Sequence, residues 1–429
     1  MTTLLFELLG AQVAPGVDTG DAPAKSTRAA LNLFFRSSLQ LIHALMSRQL
    51  RDCVLLQGDF LLYRSGPLSL CDTGLVRRAL ASLWRRQPFV LLHADADADG
   101  PGLRALCELL ELDAAAQLSG FLTYHEIMIV FGEQDGRPVV SKLASAAAGE
   151  AYLAPQHKAL EWFARNGADT PVARHVPEVL AFKQTKDYGV LVQSRLPGAP
   201  TDPAAVTEAE LERRLALAAA PLIELHRRGA PDEAHSGEFL DQLSRLPGIY
   251  GDYREPLRMA AGILNAWPRR LEVPVVLMHG DYHLKNVLFE DSPLRVSGII
   301  DWDRFKPRGW ALLDALHLAV SSIASHRRTG FGQILPEIWN DELRSPLMAR
   351  YLADIIDRTE MDFEALRHIA VALWMNYLWY RHVDGQGVDA GWMRAIMLAP
   401  AREIRDWSQR SRCVGQNGVE ARPAMVPDE

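Results

Sequence analysis

Side chains that can bind metals and move protons are concentrated in residues 275–303, among apolar runs that predict strands. The first run ends at His279 and Asp281, Asn286 stands five residues after Asp281, and Asp301 follows the last run. In phosphoryl transfer from a nucleotide, one carboxylate faces the attacking hydroxyl, while an amide and a second carboxylate hold magnesium on the phosphates. The order and spacing of these residues therefore indicate phosphoryl-transfer chemistry.

These residues, in the order HGD, N and DWD, resemble the HGD, N and DWE/D signature of the aminoglycoside phosphotransferase and choline kinase group. The step from Asp281 to Asn286 also matches the kinase catalytic loop. The resemblance implies an ATP-dependent enzyme that moves the γ-phosphoryl group to a hydroxyl of a small molecule with the help of Mg²⁺. It makes Asp281 the catalytic base, His279 the residue that positions it, and Asn286 and Asp301 the magnesium ligands.

The same resemblance implies an α+β fold with two lobes, like that of protein kinases. The N-terminal residues fall outside it, and their own pattern predicts an additional α/β module. Of the 429 residues, residues 1–117 are expected to form the N-terminal module and residues 118–198 the nucleotide-binding lobe. Residues 199–407 are expected to form a mainly helical lobe with the catalytic and metal site. Residues 408–429 lack periodicity and predict a flexible tail.

A β-rich segment upstream carries another residue that a kinase needs. Residues 121–131 predict a strand, residues 133–136 a hairpin turn, and residues 137–143 a second strand with Lys142 on it. A lysine on this strand is placed to reach the α and β phosphates. An isolated lysine in this position would be read as an exposed strand residue. The polar residues 279–303 downstream favour phosphate binding by Lys142.

The acid that pairs with this lysine is expected on the next helix. By comparison with the family, the usual glutamate falls at Gln156 or His157, and neither is acidic. On one continuous helix Glu150 and Glu161 would share a face with His157, but Pro155 suits a first turn better than a helix interior. Glu161 is therefore the preferred partner, and the alternative is that both glutamates are surface charges.

The resemblance places an interlobe hinge after the strand predicted over residues 188–194. There the backbone from Val192 to Ser194 would meet adenine by hydrogen bonds, although an ordinary core strand explains the pattern equally well. Gly120 is the single glycine near the place of a phosphate-covering loop, and no GxGxxG pattern occurs there. This departure argues against a protein kinase more than against a small-molecule kinase.

Two other functions compete for the central residues. A metal-dependent hydrolase would use His279, Asp281, His283 and Asp301, which offer nitrogen and oxygen ligands for zinc, iron or manganese. A hydrolase mechanism of this kind assigns no role to Asn286. A catalytically silent kinase-like binding module is the third candidate, because the helix glutamate and the glycine loop are missing. The presence of all the central acids argues against it.

Residues on either side of this stretch have supporting roles. Arg304, Lys306 and Arg308 form a basic cluster that either binds phosphate or an anionic acceptor, or belongs to a solvated loop. Asp314 resembles the later structural aspartate of the family, which orients the catalytic loop. His226, at the end of a predicted helix, is expected to pack and hydrogen-bond rather than to catalyse.

The first module has its own pattern. Residues 31–50 predict a helix, and residues 53–57 and 89–93 predict strands. Residues 95–100 reproduce the DxDxDG opening of a calcium-binding loop, but Leu106 stands where the bidentate glutamate is required. We therefore expect residues 95–100 to form a solvated acidic turn and not a calcium site.

Composition limits the partners. A formal net charge of −7 and a pI near 6.0 give no reason to expect nucleic acid or an anionic membrane as a partner. The four cysteines are widely spaced and indicate neither a disulfide framework nor a zinc module. No leader peptide or long apolar run is evident. We therefore expect a cytoplasmic protein that acts on a small molecule, and the sequence leaves its oligomeric state open.

Overall fold

The computed structural model of the protein describes residues 55–56, 91–92, 110–113, 119–122, 127–186, 188–339, 345–383 and 390–416. The described residues fall into two compact units. The first contains the residues up to Ala154 together with Val179–Arg195, and the second contains Pro155–Glu178 together with the residues from Leu196 onward. Helix and sheet occur together, as the predicted α+β class requires.

Little of the N-terminal 117 residues is described. Strands β1 (Leu55–Leu56) and β2 (Leu91–Leu92) form an antiparallel pair, and they lie inside the segments 53–57 and 89–93 that predict strands. The predicted helix over residues 31–50 and the acidic turn lie outside the described residues.

An antiparallel sheet with the strand order β3-β4-β5-β7-β6 forms the main part of the first unit. Its strands are β3 (Ser119–Leu122), β4 (Met128–Gln134), β5 (Arg137–Ser145), β6 (Val179–Gln184) and β7 (Tyr188–Ser194). Asp135 and Gly136 join β4 to β5 with positive φ angles of 51° and 71°, as a two-residue hairpin turn requires. The predicted hairpin is confirmed.

Apolar side chains pack on both faces of this sheet. Val130 and Val139 belong to the cluster on one face. Ile129, Val140 and Leu191 belong to the cluster on the other face. Side chains alternate along a strand, so successive residues of β4 and β5 contribute to the two clusters in turn.

Helices make up most of the second unit. They are α1 (Ala154–Asn166), α2 (Glu208–Arg228), α3 (Glu233–Ser244), α4 (Arg254–Ala266), α5 (Ala311–His326), α6 (Phe331–Trp339), α7 (Pro346–Thr359), α8 (Phe363–Val383) and α9 (Ala390–Gln416). The side chain of Thr207 accepts the backbone N–H of Glu210 and caps α2, as its sequence predicts. Helix α5 is buried around most of its circumference and forms the centre of the unit.

Two boundaries differ from the sequence prediction. Pro155–Glu178 groups with the second unit, because Phe163 of α1 packs its ring on Trp302 at 4.6 Å and on Phe305 at 5.2 Å. The tail predicted from residue 408 begins inside α9, which continues to Gln416.

Two small antiparallel sheets hold the stretch 275–303. In one, β10 (Pro274–Met278) lies between β13 (Lys306–Gly309) and β9 (Ala230–Pro231). In the other, β11 (Val287–Asp291) lies between β12 (Leu294–Ile299) and β8 (Ala199–Pro200). The polar residues therefore follow strand ends, as predicted. Within the described part of the chain, no helix is long and apolar enough to span a membrane.

Candidate active site

A closed ring of hydrogen bonds holds the loop between β10 and β11. The backbone N–H of Asp281 donates to Nδ1 of His279 at 3.2 Å, and Nε2 of His279 bonds the carbonyl of Ile300 at 2.9 Å. The N–H of Ile300 donates to the carbonyl of Asn286 at 2.9 Å. The ring closes where Nδ2 of Asn286 donates to the carbonyl of Asp281 at 3.0 Å. Three of the predicted site residues are therefore fixed relative to one another.

The hydrogen-bonded ring also determines which nitrogen of His279 carries the proton. Because Nδ1 accepts a hydrogen bond, the proton of the neutral imidazole is on Nε2. Burial lowers the pKa of His279 to about 4, so its imidazole is neutral near pH 7. Both nitrogens bond the backbone, which suits a positioning residue and leaves neither for a metal. This geometry opposes the hydrolase alternative, and the described residues contain no group of three His, Cys, Asp or Glu side chains that could hold a metal.

A carboxylate from α5 holds the start of the same loop. Asp314 accepts the backbone N–H of His279 through Oδ2 at 2.6 Å and the N–H of Gly280 through Oδ1 at 2.9 Å. The side chain is buried, and burial raises the pKa of Asp314 to about 7. The prediction that Asp314 orients the catalytic loop agrees with these two bonds.

Gly280 is required by the path of the backbone. Its φ is +87°, and a Cβ atom at this position would lie 2.4 Å from the carbonyl oxygen of Arg304. A side chain here would be strained by both the dihedral angle and the close contact. The glycine of the HGD motif therefore allows the loop to pack on the chain that follows Asp301.

The carboxylate of Asp281 is ionised and partly open to solvent. Its side chain is 31% exposed, with Arg304 Nη1 3.9 Å from Oδ1 and His283 Nε2 3.8 Å from Oδ2. Burial raises the pKa of Asp281, but electrostatic interactions with neighbouring side chains, Arg304 among them, outweigh burial, and the net effect lowers it. An ionised carboxylate that reaches solvent can orient a hydroxyl group and accept its proton.

Asn286 and Asp301 supply the oxygen atoms that a magnesium ion prefers. Asn286 is buried, and its Nδ2 is used by the carbonyl of Asp281, which leaves Oδ1 as the ligand atom. Asp301 follows β12 in a left-handed conformation with φ 62° and ψ 61°, which aspartate tolerates better than most residues. One amide and one carboxylate oxygen fit the hard, oxygen-preferring Mg²⁺, which takes its remaining ligands from phosphates and water.

Buried aromatic side chains hold the loop between β10 and β11 against the core of the second unit. Trp302 is 1% exposed, its Nε1 donates to the carbonyl of Ile299 at 2.8 Å, and its ring lies 4.4 Å from that of His279. Tyr282 donates its hydroxyl to the carbonyl of Ala218 on α2 at 2.9 Å. These contacts anchor both ends of the site to the core of the second unit.

Two residues near the site were missed in the sequence. His317 of α5 lies 6.1 Å from His283, ring to ring, and Asn376 of α8 lines one pocket with His317, Gly280 and Tyr380. His317 stands three positions after Asp314, a spacing that places both on one helix face, so this signal was present. The position of Asn376 depends on the packing of α8 and gave no local signal.

His226 is packed as expected, since it is 3% exposed and burial lowers its pKa to about 4. The expected side-chain hydrogen bond is not seen at Nδ1, which has no partner within the described chain.

The nucleotide-binding residues predicted in the first unit lie on neighbouring strands. Lys142 is 5% exposed and stands in β5 opposite Ile129 of β4 and Leu191 of β7. Val192 of β7 pairs on both sides within the sheet, and Ser194 is the last residue of that strand. The strand ends at Ser194, the N–H of Arg195 still donates to the carbonyl of Pro138, and the hinge stays a prediction.

The carboxylate of Glu161 contacts basic residues of its own helix, α1. Its carboxylate lies 3.0 Å from Arg165 Nη2 and 3.7 Å from His157 Nε2, and its side chain is 38% exposed. Glu150 lies in a π-helical turn, Gly149–Leu153, that precedes α1, so the two glutamates do not share one regular α-helix. Gln156, in the first turn of α1, is buried. The pairing of Glu161 with Lys142 stays a prediction.

Residues 129–363 match the family model described as the phosphotransferase enzyme family, APH. Among solved structures, the chain is similar to a putative aminoglycoside phosphotransferase from Ralstonia eutropha, with 15% identity, a TM-score of 0.48, and 74% of this chain and 98% of that chain covered. It is also similar to a thermostable mutant of APH(4)-Ia in complex with ADP and hygromycin B, with 17% identity, a TM-score of 0.46 and coverages of 70% and 97%.

A further similar structure is APH(3'')-Id from Streptomyces rimosus, with 18% identity, a TM-score of 0.42, and 64% of this chain and 98% of that chain covered. No curated protein sequence matches the chain. The family match spans more than half of the 429 residues, and it includes Lys142 and the whole stretch 275–303.

Proposed function

Because the chain belongs to the phosphotransferase enzyme family, as its HGD, N and DWD residues predicted, we propose that it is an ATP-dependent kinase of a small molecule. The γ-phosphoryl group of ATP is transferred to a hydroxyl group of the acceptor. The observation that carries this proposal is the hydrogen-bonded ring through His279, Asp281, Asn286 and Ile300. It holds an ionised carboxylate beside an amide oxygen donor, the arrangement that phosphoryl transfer requires.

Asp281 is the proposed catalytic base. It orients the acceptor hydroxyl and takes its proton as the hydroxyl oxygen bonds to the γ-phosphorus. The bond from that phosphorus to the β–γ bridging oxygen breaks, ADP leaves, and the proton passes on to solvent. His279 positions Asp281 through its backbone N–H. This division of roles between Asp281 and His279 fits a reaction in which positioning and charge stabilisation supply most of the rate enhancement.

Asn286 and Asp301 are the proposed magnesium ligands. Bound Mg²⁺ would neutralise charge on the β and γ phosphates. Asn286 contributes Oδ1 while its Nδ2 stays on the carbonyl of Asp281, so the ligand and the base are coupled through one side chain. Asp301 contributes its carboxylate from the turn that follows β12.

The nucleotide-binding roles in the first unit are part of the same proposal. Lys142 binds the α and β phosphates, and Glu161 is the acid expected to pair with it. The backbone from Val192 to Ser194 meets adenine. Burial of Lys142 on β5 and the end of β7 at Ser194 support these assignments.

Replacement of Asp281 tests the proposal. We expect Asp281→Asn to lower kcat for ATP-dependent phosphorylation by about 10²–10⁴-fold, the usual contribution of a general base, with ATP affinity nearly unchanged. Asp252→Asn, at an exposed position of the second unit, is the matched control and should leave kcat unchanged. ADP release would be followed with aminoglycosides, choline, ethanolamine, sugars and hydroxy amino acids. An Asp281→Asn protein that kept the wild-type rate would remove Asp281 as the base.

Metal dependence separates the kinase from the hydrolase. Chelation of divalent ions should abolish ADP release, and Mg²⁺ should restore it. Tightly bound zinc or iron, together with hydrolysis that needs no ATP, would contradict the proposal.

A further inference from the structure

A small pocket lies between α5 and α8, beside the loop that carries the proposed base. Its lining includes Gly280 of the loop, Asp314 and His317 of α5, and Asn376 and Tyr380 of α8. All five residues belong to the second unit. A group bound in this pocket therefore contacts the elements that hold the proposed base in place.

Two buried polar atoms of α8 lack a hydrogen-bond partner within the described chain. They are Oδ1 of Asn376 and the hydroxyl of Tyr380, and Asn376 is 4% exposed. Residues four positions apart lie on one face of a helix, so both side chains reach the same pocket. Because buried polar atoms are nearly always hydrogen-bonded, these two indicate a bound group that completes their bonding.

The hydroxyl of Tyr380 differs from those of other buried tyrosines in this unit. Tyr351 donates its hydroxyl to the carbonyl of Ala315 at 2.8 Å, and Tyr282 donates to the carbonyl of Ala218 at 2.9 Å. The chain itself therefore satisfies these two hydroxyl groups. The partner of the Tyr380 hydroxyl has to come from the pocket.

The pocket has room for a single oxygen atom and its hydrogens. Its volume is about 10 Å³, close to the roughly 10–15 Å³ that one water molecule needs. A carboxylate, a phosphate or a sugar ring is larger than this. A metal ion needs at least four ligand atoms, and the two unpartnered atoms of α8 are too few.

The lining of the pocket suits an uncharged group. Asp314 and Arg304 contribute one acidic and one basic side chain, so neither charge is in excess. Burial lowers the pKa of His317 to about 4, so its imidazole is neutral near pH 7. The amide oxygen of Asn376 accepts a hydrogen bond and the hydroxyl of Tyr380 can donate one. One O–H group therefore satisfies both atoms.

We propose that this pocket binds one uncharged O–H group, which donates its hydrogen to Oδ1 of Asn376 and accepts the hydroxyl hydrogen of Tyr380. A water molecule and a hydroxyl group of the phosphoryl acceptor share this chemistry. The acceptor as the source rests on the proposed function, whereas a bound water molecule does not. In both cases Asn376 and Tyr380 are binding residues, although their helix follows the proposed base by about a hundred residues.

High-resolution crystal structures of the full chain test the pocket. We expect wild-type protein to show one oxygen-sized density peak within roughly 2.5–3.2 Å of both Oδ1 of Asn376 and the hydroxyl oxygen of Tyr380. Asn376→Leu should remove the peak, and Tyr380→Phe should lower its occupancy by at least half. Tyr351→Phe is the matched control, because that hydroxyl is bonded within the chain, and it should leave the peak unchanged. If Asn376→Leu does not fold, Tyr380→Phe decides, since it loses a single oxygen atom.

Crystals soaked with glycerol or with propane-1,3-diol distinguish the two sources, because these compounds differ by one hydroxyl group. If the acceptor supplies the group, the peak should become continuous with glycerol. In that case kcat/KM for glycerol should exceed that for propane-1,3-diol by about tenfold or more, and the ratio should approach one in Tyr380→Phe. If water supplies the group, the separate peak should persist in both soaks, and the ratio should be the same in wild type and in Tyr380→Phe.

Three outcomes would overturn the proposal. They are a pocket without density in wild-type crystals, a direct hydrogen bond between the side chains of Asn376 and Tyr380, and a peak whose occupancy is unchanged in both variants. Failure of the proposed function is different, because wild-type protein would then neither bind ATP nor release ADP with any acceptor. The density in the pocket would still be measured in that case.

Discussion

Oδ2 of Asp314 accepts the backbone N–H of His279 at 2.6 Å, across 35 residues of sequence. Its other oxygen accepts the N–H of the next residue, Gly280, at 2.9 Å. One buried carboxylate thus ties helix α5 to the loop that carries Asp281. The position of the proposed base is therefore set by a buried residue of another element.

Asp314→Asn should destabilise the protein and misplace the loop. The amide keeps one acceptor oxygen but directs an NH₂ group toward the second N–H, so we expect a loss of about 2–3 kcal/mol in the free energy of unfolding and a fall in kcat with little change in ATP affinity. Urea unfolding and ADP release measure the two effects. Asp354→Asn removes a surface ion pair with Arg358 and should cost less than about 1 kcal/mol. Equal stability losses in both variants would contradict the role of Asp314.

Stability should fall as the pH is lowered from about 6.5 to 4. Burial lowers the pKa of His226, His279 and His317 to about 4, so in this window the unfolded chain binds protons that the native protein does not. Asp314, whose pKa burial raises to about 7, opposes this trend with one proton. The histidines whose pKa is lowered by burial outnumber Asp314, so we expect the free energy of unfolding to fall with pH across this window.

Urea unfolding at a series of pH values measures this slope. His226→Phe removes one of the titrating groups outside the catalytic loop, and its free energy of unfolding should decline by roughly 1 kcal/mol less per pH unit than that of wild type. A stability that stayed constant from pH 7 to pH 4 would show that the buried histidines do not govern acid unfolding.

The central site could be predicted because its parts are local. Asp281, Asn286 and Asp301 lie within one strand, loop and hairpin, so their spacing in the sequence determines their spacing in space. The hydrogen bond from Ile300 to Asn286 is a consequence of the pairing of β11 with β12. Sequence order alone was therefore sufficient for this part of the site.

Residues brought in by distant helices could not be predicted in the same way. Asn376 reaches the site because α8 packs in the second unit, and the sequence around it is that of an ordinary buried helix. The π-helical turn before α1 shifts the register between Glu150 and Glu161, which a regular periodicity does not anticipate. The assignment of Pro155–Glu178 to the second unit depends on aromatic contacts of Phe163 that no local pattern specifies.

Gly280→Ala should disturb both folding and catalysis. With φ at +87° and a contact of 2.4 Å to the carbonyl of Arg304, the new methyl group requires the loop to move, and we expect a loss of about 1–3 kcal/mol in the free energy of unfolding with lower kcat. Gly262→Ala in α4, where a Cβ meets nothing within 4 Å, is the control and should stabilise the protein by up to about 1 kcal/mol. If Gly280→Ala kept full activity, the close approach to Arg304 would not matter for the site.

Lys142→Met should weaken nucleotide binding without unfolding the protein. Methionine has a similar length and suits the apolar neighbours Ile129 and Leu191, so the packing of β5 is kept. Loss of the ammonium group removes a charged bond to the phosphates, and we expect the KM of ATP to rise about 10–100-fold. Lys183→Met, at an exposed position of β6, is the matched control and should leave that KM unchanged. If both variants bound ATP equally well, Lys142 would be a structural lysine and the phosphates would have to be bound by other residues.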